Sequence, residues 1–214
     1  MIKLYKEFLP HEHAWDLACS IDATPSHWWS KALRYKGKEL PEYYSNNVGG
    51  YRQQFIAEKE FNTSVSEGFY TYKWTRSTPH VKKCKCYECT FKTDVLESKG
   101  FKSFLKEETH LKNPVLNEYF TSIYYPGDFL GQHHDKGKGI AFIFNLSWKW
   151  RPEYGGLLHV ENELGFQAYN PGWGDLVLLS LQDGKGENHF VSEVTKYAPR
   201  PRLAISGWFN EGEE

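Results

Sequence analysis

From about residue 118 onward the chain breaks into short apolar segments separated by turn residues. The segments run roughly over 119–125, 129–134, 139–147, 157–162, 165–169, 175–180, 188–194 and 201–209. Between them stand Pro126-Gly127, Gly137 and Gly139, Gly155-Gly156, Pro171-Gly172 and Asp183-Gly184. Strand-length runs bounded by such breakers, with no helical period between them, predict an all-β sandwich or barrel. The first half has a different texture. Trp15, Leu17 and Ala18 behind Pro10 predict a helix around residues 10–20, with proline in its first turn. A second helix is expected around 100–109. Phe69 to Arg76 alternates like a strand and sends Tyr70, Tyr72, Trp74 and Arg76 to one side. The pattern predicts a mainly β jelly roll with a helical annex. It forms one domain over 1–214, in which 1–117 support the 118–210 core and supply a candidate substrate lid.

Composition agrees with strands. Of 214 residues 17% are aromatic (8 Trp, 14 Tyr, 14 Phe) and only one is Met, and flat side chains suit a pleated, half-buried surface. No apolar run reaches the roughly 18–20 residues of a membrane helix. The start, MIKLYKEFLPHEHAW, has no apolar segment of the secretory type, so the cytoplasm is the expected compartment and no membrane partner is expected. Twenty-six basic and 27 acidic side chains give a net charge of −1. No strong positive field gathers a phosphate backbone, so nucleic acid is not an expected obligatory partner. Four Cys without a leader suggest reduced thiols or a metal knuckle.

The chemistry concentrates in Tyr124-Tyr-Pro-Gly-Asp-Phe-Leu-Gly-Gln-His-His-Asp135. On a strand, His133 and Asp135 share a face while His134 points away. An imidazole and a carboxylate facing inward form two sides of a metal site. His189, in Asn188-His-Phe-Val, is the best third ligand from a distant strand. Two His and one carboxylate leave coordination positions open, the donor set of non-haem Fe(II) oxygenases. His159-Val-Glu161 offers a competing pair. Thirteen residues after His189, Arg202 opens a strand with Ala204, Ser206 and Trp208 on the same face. A buried guanidinium needs an anionic partner, and the carboxylate of a small acid would satisfy it bidentately. Arg200, between two prolines, is the alternative anchor.

These residues resemble the Fe(II)/2-oxoglutarate-dependent dioxygenases, in their prolyl 4-hydroxylase-like branch. The resemblance covers about 118–210 and includes the Tyr-x-x-Gly-Asp-Phe-Leu lead-in, His133-x-Asp135, Tyr154-Gly-Gly-Leu, His189-Phe-Val with Val194 beyond, and Arg202 followed by Trp208. It implies a double-stranded β-helix, Fe(II) held by His133, Asp135 and His189, and 2-oxoglutarate held by Arg202 with Tyr124 touching it. It further implies O2 as co-substrate, ascorbate as a reductant, and release of succinate and CO2. The reaction is then hydroxylation of an aliphatic C–H in a proline-like or other amino-acid substrate, either free or within a peptide or protein. The presence of Asp135 favours hydroxylation over the halogenation of relatives that lack this carboxylate. Three other readings stay open: a cupin-like module that binds a metal or small acid without turnover, an oxidative nucleobase demethylase, and a structural zinc-knuckle interaction domain.

Three weaker signals remain. His80, Cys84, Cys86 and Cys89 pack an imidazole and three thiols into ten residues, a candidate structural zinc site. Trp28-Trp29, Tyr43-Tyr44 and the Tyr70/Tyr72/Trp74 face are core or lid packing, or else line a substrate cleft in which Arg76 could meet a substrate carboxylate. Gly49-Gly50 within Tyr43–Tyr51 suits a flap.

Overall fold

The computed structural model describes residues 2–25, 28–35, 38–39, 43–44, 64–65, 71–77, 84–135, 139–181 and 188–213. In the first half these form β1 (Ile2–Tyr5), α1 (His11–Asp22), β2 (Trp29–Tyr35), β3 (Lys38–Glu39), β4 (Tyr43–Tyr44), β5 (Tyr72–Ser77), α2 (Tyr87–Phe91) and α3 (Lys99–Glu108). A π-helical turn, Lys92–Leu96, continues α2. Pro10 immediately precedes α1, where its missing N–H costs nothing. Ser98 caps α3 by accepting the Phe101 N–H at 3.1 Å.

The second half is strands: β6 (Pro114–Tyr124), β7 (Phe129–His133), β8 (Ile140–Asn145), β9 (Leu158–Asn162), β10 (Gly165–Tyr169), β11 (Leu176–Ser180), β12 (His189–Val191) and β13 (Arg202–Glu211). Each falls on one of the eight segments expected from the turn punctuation. β6 begins five residues earlier than expected, because β13 pairs with it along its whole length from Tyr124 to Pro114. β12 is shorter than expected.

Strand order runs β1-β11-β8-β13-β6-β5-β7-β12-β9-β10, with every neighbouring pair antiparallel. The sheet curls so that its two ends face each other, which is the jelly roll. Alternation gives the strands two apolar faces with different tasks. The outer face of the larger half, including Ile123, Phe144, Leu178, Leu203, Ile205 and Phe209, packs against Ala14, Ile21, Phe101 and Leu105 of the helices. The inner face joins Phe120, Tyr124, Ala141, Val177 and Leu179 to Leu158, Val160 and Val191 of the smaller half. Residues from both halves of the chain therefore share the outer core. No helix among the described residues is long and apolar enough to cross a membrane.

Between β6 and β7 the chain turns at Pro126-Gly127, with Gly127 in the left-handed region at φ 85°. The buried Asp128 closes this turn by accepting the Tyr125 N–H at 3.0 Å and the Lys31 ammonium at 3.1 Å. Burial pushes its carboxyl up, against the pull of Lys31. The turn thereby fixes where β7 starts, and β7 carries the first metal-ligand candidate.

Candidate active site

His133 ends β7 directly opposite His189 of β12, so cross-strand pairing alone brings the two imidazoles together, with ring centroids 4.2 Å apart. Asp135 lies just past the end of β7 rather than within it, and still reaches the same point. Its Oδ1 is 3.7 Å from His133 Nε2 and its Oδ2 is 3.8 Å from His189 Nε2. These separations are longer than hydrogen bonds, and all three ligand atoms lie within 4.8 Å of one another. An ion of the size of Fe(II) fits between them. His134 is exposed, as the alternation requires.

The ring orientations are held from behind. His133 Nδ1 lies 2.9 Å from the Gly131 carbonyl, and because a carbonyl only accepts, Nδ1 carries the proton and Nε2 presents its lone pair inward. Burial, and then the adjacent His189, push His133 down to about 4. It is thus neutral at physiological pH, the form that binds metal. Trp208 Nε1–H donates to Asp135 Oδ2 at 2.9 Å. This bond was not legible in the sequence, where Trp208 was only a residue on the Arg202 face.

β7 also contains an irregularity. His189 pairs with His133, yet Val191 pairs with Leu130, so three steps on β7 match two on β12. The bulge lets both Leu130 and His133 face the interior, which strict alternation forbids.

Arg202 is 3% exposed. Its Nη2 donates to Asn145 Oδ1 at 3.4 Å, its guanidinium lies 5.1 Å from the Tyr124 ring centroid, and its Nε has no hydrogen-bond partner. No carboxylate is paired with it among the described residues. Burial works against its charge and, for the same reason, pushes the Tyr124 hydroxyl up to about 12. A buried cation with an unused donor calls for an anion. Gly156, at φ 64°, backs the Arg202 stem where a Cβ would lie 3.0 Å from Arg202 Cδ. Arg200 is exposed and is not the anchor.

One cavity of about 310 Å³ joins these features, with the His/Asp cluster, Arg202 and Tyr124 all in its lining. Its walls include Leu158, Leu179 and Val191, and a further set comes from Tyr72, Trp74, Arg76, Glu118 and Phe120. Tyr72 and Trp74 therefore line the cleft as well as packing in the core. Arg76 Nη2 bonds Glu118 at 3.0 Å and its guanidinium lies over Phe120 at 4.3 Å, while its Nε has no hydrogen-bond partner.

Other candidates lie elsewhere. His159 stacks on Phe190 at 4.3 Å and Glu161 accepts from Asn188 at 2.6 Å, both away from the cavity, which removes the competing pair. Trp28 and Trp29 line a different cavity, beside Cys86 and Glu88, and so do not wall the His/Asp cluster. Cys84, Cys86 and Cys89 come together; His80, Tyr70, Gly49 and Gly50 lie outside the described residues, as do the side chains of Tyr43 and Tyr44.

Residues 119–210 match the model of the 2OG-Fe(II) oxygenase superfamily. No curated protein matches the chain in sequence. Among solved structures, a prolyl 4-hydroxylase of Pseudomonas putida matches at 17% identity and a TM-score of 0.50, covering 99% of this chain and 93% of that one. A Trichoplax adhaerens prolyl hydroxylase, solved with a hypoxia inducible factor peptide, matches at 12% and 0.50 over 98% and 83%. The viral collagen prolyl hydroxylase of Paramecium bursaria Chlorella virus-1, solved with 2-oxoglutarate, matches at 10% and 0.53 over 99% and 96%. The segment 119–210 is thus similar to the 2OG-Fe(II) oxygenase superfamily, and the chain shares the jelly-roll fold of these solved structures.

Proposed function

We propose that this protein is an Fe(II)- and 2-oxoglutarate-dependent hydroxylase of an aliphatic C–H in a proline-like or other amino-acid substrate, free or in a peptide or protein. The observation that carries the reading is that one cavity holds the His133/Asp135/His189 cluster and, deeper, a buried Arg202 with an unused donor. His133, Asp135 and His189 would hold the metal, and Arg202 with Tyr124 would hold the far carboxylate of 2-oxoglutarate. Bound Fe(II) with 2-oxoglutarate supplies O2 activation, in which 2-oxoglutarate, O2 and R–H become succinate, CO2 and R–OH.

The chain's own residues do the rest. Trp208 and the Gly131 carbonyl orient two of the three ligands, which narrows the geometry in which the metal can sit. Leu158, Leu179 and Val191 exclude water. Arg76, with a spare donor among aromatics, faces the substrate side and suits a carbonyl or carboxylate. The solved relatives that carry a hypoxia inducible factor peptide or act on collagen support a peptide or protein substrate by analogy. All of 1–214 is read as one domain, and ascorbate dependence belongs to the same proposal.

The test is an anaerobic titration with Fe(II) and then 2-oxoglutarate, followed by the visible charge-transfer band of the chelate. The band is expected in the native chain and should be lost or weakened in Asp135→Ala and Arg202→Ala. A folded, iron-loaded native chain without it would overturn the reading and favour a binding module. Succinate release with O2 and candidate peptides then selects the substrate.

A further inference from the structure

On the far side of the sheet from the cavity lies a second group of ligand atoms that the oxygenase reading does not use. The sulfurs of Cys84, Cys86 and Cys89 all lie within 4.8 Å of one another. All three residues are half-buried and none is in a disulfide. Cys86 immediately precedes α2 and Cys89 lies within it, so one helical turn places two thiols side by side. Cys84 comes from the extended chain before them and folds back, its sulfur accepting the Cys86 N–H at 3.5 Å. Neighbouring positions in the chain explain why Cys84 is near Cys86. They do not by themselves explain why Cys84, five residues from Cys89 and on a different element, meets it as well.

We propose that Cys84, Cys86 and Cys89 bind a thiophilic divalent metal, Zn(II), as three thiolates. Three converging sulfurs are the soft donor set that selects zinc in a tetrahedral site. The His/Asp cluster, by contrast, offers nitrogen and oxygen donors. On binding, each thiol releases its proton and forms a sulfur–metal bond, with no redox change. The fourth tetrahedral position is left to a donor outside these three.

The surroundings give the site a structural task. Glu88, between the ligands, is buried and accepts from Ser77 Oγ of β5 and Thr121 Oγ1 of β6, both at 2.8 Å. Tyr87 bonds Thr121 at 2.9 Å. The segment is thereby tied to the outer side of the two strands whose Arg76, Glu118 and Phe120 line the cavity. A metal here would brace the back of the substrate wall, closing a local loop at the start of α2. This inference does not depend on the oxygenase reading.

The experiment uses the full chain, reduced and stripped of metal by a chelator, with Co(II) as the probe. One equivalent of Co(II) should give an intense near-ultraviolet thiolate-to-cobalt band that Zn(II) abolishes. The band should persist in His133→Ala, which removes the other cluster, and vanish in the Cys84→Ser/Cys86→Ser/Cys89→Ser variant. A thiol-labelling assay on the native chain keeps the test independent of that variant's folding. Zn(II) should slow the labelling of three thiols at least tenfold while the exposed Cys19 reacts unchanged. No thiolate band in the folded, reduced chain, a band that survives removal of the three cysteines, or labelling of all four thiols at the same rate with and without Zn(II) would each overturn the proposal.

Discussion

The two faces of β13 lie on one backbone and answer to different demands. Its outward residues, Leu203, Ile205 and Phe209, are buried against other apolar side chains and leave nothing unsatisfied. Its inward residues are Arg202, Ala204, Ser206 and Trp208, which place a cation with an unused donor at one end and a hydrogen bond to the Asp135 carboxylate at the other. The outer face is built to lower the free energy of the folded chain, whereas the inner face leaves a cost that a bound anion would relieve. Stability and function are thus separated by a rotation of the side chain about one strand, and substitutions on the two faces should read out differently.

The sharpest break comes from Asp135→Ala, which removes the carboxylate that Trp208 of the inner face holds. Iron affinity should fall by more than roughly 100-fold, the upper range for losing even an outer-shell partner, with the melting temperature of the metal-free chain nearly unchanged. On the outer face, Phe209→Ala should cost about 3–5 kcal/mol of stability in denaturant unfolding. The folded fraction should keep the iron–2-oxoglutarate band. Arg202→Met should weaken 2-oxoglutarate binding by about 2–5 kcal/mol, as truncation of one partner of a buried charged pair does. The ligand-free chain should be no less stable, because an unsatisfied buried charge has been replaced by an apolar side chain of similar length. An Arg202→Met chain that is much less stable without ligand would erase the distinction between the faces. Trp208→Phe keeps the ring and removes the bond to Asp135, so iron affinity should drop about 10- to 100-fold in a metal titration. His134→Ala should change stability by no more than about 0.5 kcal/mol and leave iron binding intact. Loss of iron binding in His134→Ala with retention in His133→Ala would mean that β7 is out of register by one.

Much of the inner face was legible from periodicity. His133 and Asp135 stand two apart, and Arg202 heads a strand of alternating residues. The turn residues marked five of the seven gaps between the eight strands, because Gly and Pro act locally and need no tertiary partner. Other features depend on pairing between distant segments. The bulge on β7 exists only against β12, so nothing in Phe129–His133 announces that Leu130 also turns inward. Trp208 and Asp135 lie 73 residues apart and meet only once β13 and the end of β7 are assembled. Likewise His159-Val-Glu161 matches His133-x-Asp135 in spacing, and its position on the outside of the smaller half removes it. The first half was harder because its aromatic residues serve two purposes. Trp74 belongs to the inner core and also lines the cavity, while Trp28 and Trp29 border a separate one.

The position of β13 also bears on how the chain is made. Among the described strands it is the last in chain order, yet it sits between β8 and β6 near the middle of the sheet, bonded to both. Until residue 211 has left the ribosome the other strands have a gap where their longest partner belongs. The exposed edges of β6 and β8 must then wait without pairing to each other or to another chain. The same strand brings Arg202 and Trp208, so closure of the sheet and completion of the pocket are one event. A shortened chain would therefore lack both the seam of the fold and the buried cation of its cavity.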